Sequence, residues 1–380
     1  MSQKRDALLL SAYDATSHAR WRRGLTEALS QDFSWEVITL PARHFAWRSR
    51  GNALAMLDAD LEQQITRKPW DLIVATSVTD LVTLRGFFPE LHHATTCLYV
   101  HENQFAYPWR GPGKQNALHI QLQFILNAAR VDHLIFNSRF NLETALEGAR
   151  ALLAKMPDHV PPNLSESLRS KSRVIPVGIA PHLFDLAHHK IERASDAPIE
   201  ILWNHRWEYD KSPERAFGAL AQLVERGMGE RFELHVVGES FRKVPDAFAR
   251  AKTALADQIV TWGYLEHRSD YDALLARADI VISSAAHEFQ GLAMIEAMAA
   301  GARPVAPNRL AYPEYIPADC LYDSLEEDEE AEISALCEHL AGLLEQTHAW
   351  RDRRTLHSQR VKRYDWRALQ TDWRALLDLP

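Results

Sequence analysis

Cysteine is scarce in this chain. Three residues in 380, Cys97, Cys320 and Cys337, stand far apart and without CxxC spacing. That pattern excludes a disulfide framework and a cysteine-based zinc site, and it fits reduced thiols in a cytoplasmic protein. Long apolar runs are missing too. No stretch approaches the ~20 residues needed to span a bilayer, and the amino-terminal segment offers only Ala7–Leu10 before Ser11, too short for a secretory signal. Membrane insertion is therefore not expected. Basic residues are outnumbered, 43 Lys and Arg against 51 Asp and Glu, for a net charge of −8, which argues against indiscriminate nucleic-acid binding. The deficit is uneven: residues 1–175 hold 20 basic against 17 acidic residues, and the remainder holds 23 against 34. A basic face on the first half stays open.

What is present is a repeated alternation of short apolar runs and helix-favouring segments. A chain of 380 residues suffices for two domains, each with its own core, and 46% hydrophobic with 25% charged residues are globular values. Strands are expected at ALLLSAYD, WEVITL, DLIVAT, TTCLYV, HLIF and RVIPVGI, and again at IEILW, FELHVV, QIVTW, DIVISS and ARPVAP. This predicts an α/β protein with a first domain over 1–180, a linker from Pro181 to Pro198, and a second domain over 198–360. Residues 361–380 are the closing segment, ending in a helix from Trp366 to Leu377. The acidic run Ser324–Glu332 reads as a solvated helix start.

The most informative stretch runs from His287 to Pro307, HEFQGLAMIEAMAAGARPVAP. It reads as polar turn, helix, glycine stop and strand, following the strand at Asp279–Ala286, and so forms a βαβ unit whose strand ends face ligand. Glu288 precedes the helix and Glu296 lies within it, about 12 Å further along the axis. The N–H groups near Gln290, Gly291 and Leu292, with the helix dipole, make an anion site between them. A nucleotide sugar fits that order: Glu288 on sugar hydroxyls, the helix start on the diphosphate, Glu296 on the ribose. Arg206 and Lys211, in NHRWEYDKSPE after the first strand of domain two, suit a diphosphate leaving group; the alternative is a surface loop salt-bridged with Glu208 and Asp210.

Three further places carry chemistry. His101, at the end of TTCLYV and heading the loop HENQFAYPWRGPGKQN, is the candidate in domain one for touching the reacting sugar. Pro41–Asn52 interleaves Arg43, Arg48 and Arg50 with His44, Phe45 and Trp47 on an expected loop, the composition of an RNA-contacting surface, or else of a capping loop with aromatics in the core. Asp58 and Asp60 invite a metal reading. The segment GNALAMLDADLEQQIT reads as a helix, on which residues two apart diverge, so no metal is expected there.

Glu, seven residues, Glu, then Ala-Met-Ala-x-Gly-x-x-Pro-Val resembles the donor signature of the family-4 retaining glycosyltransferases. HFAWR, HENQ with its Tyr-Pro, FNSRFN, HRWEYDK, VPDAF, WGYL and AYPEYIPADCLY extend the likeness over most of the chain to the tRNA-queuosine mannosyltransferases. The resemblance implies two Rossmann-like domains facing across a cleft, the GT-B architecture, with the last helix crossing back to the first domain. It implies a metal-independent enzyme without a cofactor that moves mannose from GDP-mannose, a substrate, to queuosine in the anticodon of tRNA-Asp. In that reading Arg206, Lys211 and Glu288 act in catalysis with His101, and Gly263 and Tyr264 border the nucleotide base beside Gln290, Gly291, Leu292 and Glu296. The chain departs from the family-4 pattern at Ser11–His18, where relatives carry a glycine-rich loop and this sequence has no glycine. Two other readings remain: a glycosyltransferase with a lipid or polysaccharide acceptor, and a non-catalytic tRNA-binding protein. Protein partners are not indicated by the sequence.

Overall fold

Continuous apolar runs such as Ala7–Leu10, all fully buried, are what parallel strands covered on both faces require. The computed structural model describes residues 4–107, 114–188, 194, 197–240 and 243–379, and it bears out an α/β protein with two parallel sheets. The chain divides into two compact units, Met1–Gly178 with Trp366–Pro380, and Ile179–Asp365.

In the first unit the strands are β1 (Arg5–Asp14), β2 (Phe33–Pro41), β3 (Leu72–Thr76), β4 (Thr95–Val100), β5 (His133–Phe136) and β6 (Ser172–Val174). Their order is β2-β1-β3-β4-β5-β6, all parallel. The helix Trp366–Leu376 packs on the helix Thr16–Ala28 of the same unit. Trp373 is fully buried, Trp366 lies against Gly24 and Gly178, and Arg374 pairs with Asp32 at 2.6 Å.

The second unit contains β7 (Ile199–Trp203), β8 (Phe232–Val237), β9 (Ile259–Gly263), β10 (Ile280–Ile282), β11 (Arg303–Pro307) and β12 (Leu321–Tyr322). The order β12-β11-β10-β7-β8-β9 is the 3-2-1-4-5-6 arrangement of dinucleotide-binding sheets counted from β7. One face is packed by Trp203, Phe217, Phe248 and Leu336, the other by Leu202, Met294, Met298 and Tyr312. Among the described residues no helix is long and apolar enough to cross a membrane.

Four local expectations change. The stretch expected as a loop at Pro41–Asn52 is helical from Phe45 to Ala55. The single helix expected through Asp58 and Asp60 is broken instead. Asp58 is the N-cap of a second helix, Ala59–Thr66, and its carboxylate accepts from Asp60 N at 3.2 Å, which satisfies a free N–H of the first turn. The expected linker is folded at its start, where the helix His182–Leu186 buries Leu183 and Phe184 in the second core; its residues 189–193, 195 and 196 lie outside the described residues, as do 108–113 of the loop after β4. The acidic run does start a helix, Glu329–Glu345, with Asp328 capping Ala331 N. Glu332, however, is fully buried against Arg309 and Arg215.

Candidate active site

Strand order in the second sheet reverses between β7 and β10, the point at which such sheets bind ligands at the carboxyl ends of their strands. The loop after β7 and the loop after β10 are stitched together there. The N–H groups of Ala286 and His287 donate to Asp210 O at 2.9 and 3.2 Å. Lys211 Nζ donates to His287 O at 2.9 Å and to Glu288 Oε2 at 3.2 Å, and lies 3.1 Å from Asp210 Oδ2. From the other side Ser284 Oγ sits 3.1 Å from Lys211 O and 2.9 Å from Ser212 O.

The result is a buried ammonium between two carboxylates. Lys211 is 6% exposed. Burial alone would lower its pKa, but Glu288 and Asp210 more than reverse that, so the net shift is upward and the ammonium is secure. Glu288 is the more open partner, its side chain 21% exposed. Burial works to raise its carboxyl, yet Lys211, His205 and the Gly291 N–H hold it at about 2. His205 donates from Nε2 to Ile282 O at 3.2 Å; burial, then the Lys211 charge, push it down to about 4. At neutral pH the cluster therefore presents a fixed cation, a fixed anion and a neutral imidazole.

The helix of the donor signature runs Leu292–Ala299 with Gly291 as N-cap at φ 80°, ψ 52°. This left-handed conformation suits glycine, and a Cβ here would strike the Tyr315 hydroxyl. Gln290 and Gly291 do not offer their N–H groups to solvent as expected: Glu288 Oε1 accepts from Gln290 N at 3.4 Å, and the same carboxylate is bonded by Gly291. The N–H groups of the first turn from Leu292 onward have no intrahelical partner. Glu296 is 3% exposed. Arg268 Nη2 reaches its Oε1 at 3.2 Å, Tyr271 Oη its Oε2 at 3.4 Å, and Asn204 Nδ2 donates to that tyrosine at 2.8 Å.

Arg206 is exposed and pairs with Glu208 at 3.0 Å, so the two expected cations share one turn but differ in burial. Gly263 ends β9 at φ 114°, and Tyr264 beyond it is 65% exposed. In the first unit His101 follows β4 but is enclosed. Its ring stacks on His18 at 4.1 Å and meets Tyr99 and Trp21 at 4.7 and 4.8 Å, and its buried Nε2 has no hydrogen-bond partner among the described residues. Burial, then His18, push its pKa well down. In this conformation it is a neutral ring at the strand end, 6% exposed. On the helix Phe45–Ala55 Phe45 packs edge-on to Tyr13 at 5.3 Å, while Arg43, His44, Trp47 and Arg50 are exposed.

Among the described residues, the His, Cys, Asp and Glu side chains that come together as a metal-type group are Glu200, Glu233 and His235, not Asp58 and Asp60; Glu200 there is held by Arg277 at 2.7 Å. Sequence reasoning missed His205, Asn204, Arg268, Tyr271 and His18. The first two lie within the motif NHRWEYDKSPE, of which only Arg206 and Lys211 were singled out, but Arg268 and Tyr271 come from a separate helix and carry no local signal.

Comparison with known proteins bears on the family and the fold. A family model described as tRNA-queuosine alpha-mannosyltransferase N-terminal matches residues 6–179, and one described as Glycosyl transferases group 1 matches residues 185–347. The tRNA-queuosine alpha-mannosyltransferase of Drosophila melanogaster is 34% identical over 323 residues, 83% of this chain and 83% of that protein. A GDP-mannose-dependent alpha-(1-6)-phosphatidylinositol dimannoside mannosyltransferase of Mycobacterium tuberculosis is 32% identical over 124 residues, 32% of this chain and 31% of its own. Among solved structures, sucrose-phosphate synthase from Thermosynechococcus elongatus superposes with TM-score 0.71 at 17% identity over 98% of both chains, and Anabaena HepE in complex with UDP with TM-score 0.68 at 14% over 99% and 100%. These structural neighbours share the GT-B glycosyltransferase fold. With that much of its length aligned to a named relative, the chain belongs to the tRNA-queuosine alpha-mannosyltransferase family of glycosyltransferases.

Proposed function

We propose that the protein transfers mannose, with retention, from GDP-mannose to queuosine in the anticodon of tRNA-Asp, in the cytoplasm. The observation that carries the donor half is the Lys211–Glu288 pair at the switch point of a dinucleotide-type sheet. Glu288, ionised and partly open, accepts from sugar hydroxyls with the lone pairs that Lys211 and the backbone leave unused. Lys211 and Arg206 meet the charge that grows on the diphosphate as the C1–O bond breaks, which is where fixed charge lowers a barrier most. The acceptor oxygen attacks C1 from the face the diphosphate leaves, and its proton passes to a phosphate oxygen. Glu296 takes the ribose hydroxyls, and Tyr264 borders the base beside Gly263.

Two cations from the chain itself do what a divalent ion does in other transferases, so neither metal nor cofactor is needed. Turnover should be insensitive to chelators; a requirement for a divalent ion would refute this scheme. The acceptor half rests on family membership and on the exposed arginines and Trp47 of the first unit.

The test is mass spectrometry of nucleosides from queuosine-containing tRNA incubated with the purified protein and GDP-mannose. A queuosine species heavier by one hexose is expected. Unmodified queuosine, with GDP-mannose consumed only when a lipid or polysaccharide is supplied, would overturn the acceptor.

A further inference from the structure

The catalytic pair is not held by its own loops alone. Lys211 ends a short turn, Tyr209–Lys211, and the next residue, Ser212, sits at φ 44°, ψ 54°. This left-handed conformation is disfavoured for any residue with a Cβ, the more so before a proline such as Pro213. A conformation of that kind persists only where its surroundings over-determine it. Here Ser212 N donates to Tyr209 O at 3.1 Å and Ser212 O accepts from Arg215 N at 3.0 Å, and one buried side chain from the strand β10 side joins them. Ser284 Oγ lies within hydrogen-bond distance of the carbonyls of Lys211 and Ser212, at 3.1 and 2.9 Å, and Ser284 is fully buried.

Ser284 is held in turn. The Arg309 guanidinium, 8% exposed, donates to Ala285 O at 3.0 Å and to Ser284 O at 3.1 Å. Its charge is matched by Glu332 at 2.8 Å, and it also reaches Ser324 Oγ at 3.0 Å. Glu332 is anchored by Arg215 and by Leu325 N at 3.1 Å. A planar donor fork on two successive carbonyls fixes the direction in which the chain leaves β10 towards His287 and Glu288.

We propose that Ser284 and Arg309 are positioning residues for the transfer reaction: they set the separation of Lys211 and Glu288 without touching the donor. The inference rests on the reading of Lys211 as the cation that meets the leaving diphosphate. Small displacements of charged groups at a reacting centre cost about a hundredfold in rate, so the effect falls on turnover and not on donor affinity.

The test is a kinetic cycle on the full chain with GDP-mannose and queuosine-containing tRNA, comparing wild type, Ser284→Ala, Lys211→Ala and the double variant. Ser284→Ala should lose between about tenfold and a hundredfold in kcat, with KM for GDP-mannose little changed. In the Lys211→Ala background the same substitution should cost nothing more, because residues acting through one another are not additive. A purely structural serine would instead lower stability and multiply its loss in both backgrounds, and that outcome, or wild-type turnover by Ser284→Ala, overturns the proposal. Should Ser284→Ala fail to fold, Arg309→Lys, which keeps the charge opposite Glu332 but loses the fork, enters the same cycle with the same expectation. If Lys211→Ala itself turns over normally, the reading of Lys211 falls. A loss at Lys211 with none at Ser284 or Arg309 removes only the present inference.

Discussion

Glu288 and Lys211 show what single residues can and cannot announce. The sequence placed both near a ligand, on a motif and on the end of a strand. That the two would touch, 77 positions apart, followed from no local pattern but from the register of β7 beside β10. Their contact changes what substitution does. Replacing Lys211 leaves Asp210 and Glu288 as close carboxylates with nothing between them, and breaking a buried pair costs about 3–5 kcal/mol. Lys211→Ala should therefore lose roughly 10²-fold or more in turnover and melt measurably lower, whereas Glu288→Gln should lose turnover with a smaller change in melting temperature. Equal turnover in wild type and Glu288→Gln would remove the sugar-gripping role. The buried histidines make a second prediction. His18, His205 and His357 are each held at about 4, chiefly by burial, against an ordinary value near 6.5. The unfolded chain therefore binds more protons than the folded one between those values. Stability is full above about pH 6.5 and falls as the pH drops towards 4, by about 1.4 kcal/mol per pH unit for each histidine. Melting temperature measured from pH 8 to 5 should show this slope, and His18→Gln should flatten it. A flat wild-type curve would mean that these rings titrate freely.

Among the elements, the donor helix was legible and the helix Phe45–Ala55 was not, and the reason is at their starts. Gly291 and Gly301 bracket the donor helix with two left-handed glycines, which is visible in sequence as turn and stop. The helix at Phe45 begins after His44, itself left-handed at φ 56°, with no capping side chain and no acidic first turn, so the usual starting signals are missing. Its place is fixed from elsewhere, by buried Asn52, which donates to Val78 O at 3.1 Å and accepts from Asp80 N at 2.8 Å. Such a tertiary anchor leaves no periodic trace. The donor helix supplies its own test. Gly291→Ala puts a Cβ into a left-handed conformation, at about 1–2 kcal/mol, and against the Tyr315 hydroxyl. That hydroxyl is buried and has no hydrogen-bond partner among the described residues, so Tyr315→Phe alone should be nearly silent in melting temperature and donor affinity. Gly291→Ala should weaken GDP-mannose binding and lower the melting temperature, and adding Tyr315→Phe should recover part of both losses. No recovery would show that backbone strain alone, and not the tyrosine, reserves this position for glycine.

For the whole molecule, the alternation of apolar runs was enough to expect two parallel sheets, because strands buried on both faces leave uninterrupted hydrophobic stretches. The order of those strands, and so the location of the switch point, is not written in any one of them. The charge balance was equally legible in the sequence: the first 175 residues are slightly basic and the rest strongly acidic. The charge balance favours the first unit over the second as a surface for RNA, and in the first the exposed groups that suit RNA gather at one helix. Arg43 and Arg50 are exposed there, and Trp47 is half exposed, while Arg48 is partly covered with its Nε buried. Arg43 and Arg50 are thus the side chains to replace in a test of phosphate binding. Each phosphate left without its arginine should lower the slope of log affinity against log salt by roughly 0.7 to 0.9, so Arg43→Ala with Arg50→Ala should bind queuosine-containing tRNA more weakly and with a visibly flatter salt dependence. Trp47→Ala should weaken binding by about 1–3 kcal/mol if the ring stacks on an unpaired base, and it should leave the salt slope where it was. GDP-mannose binding should be untouched in both variants. Affinity titrations at several salt concentrations decide the matter: slopes and affinities identical to wild type would move the RNA off this helix, while a flattened slope with intact donor binding would place the tRNA backbone on it.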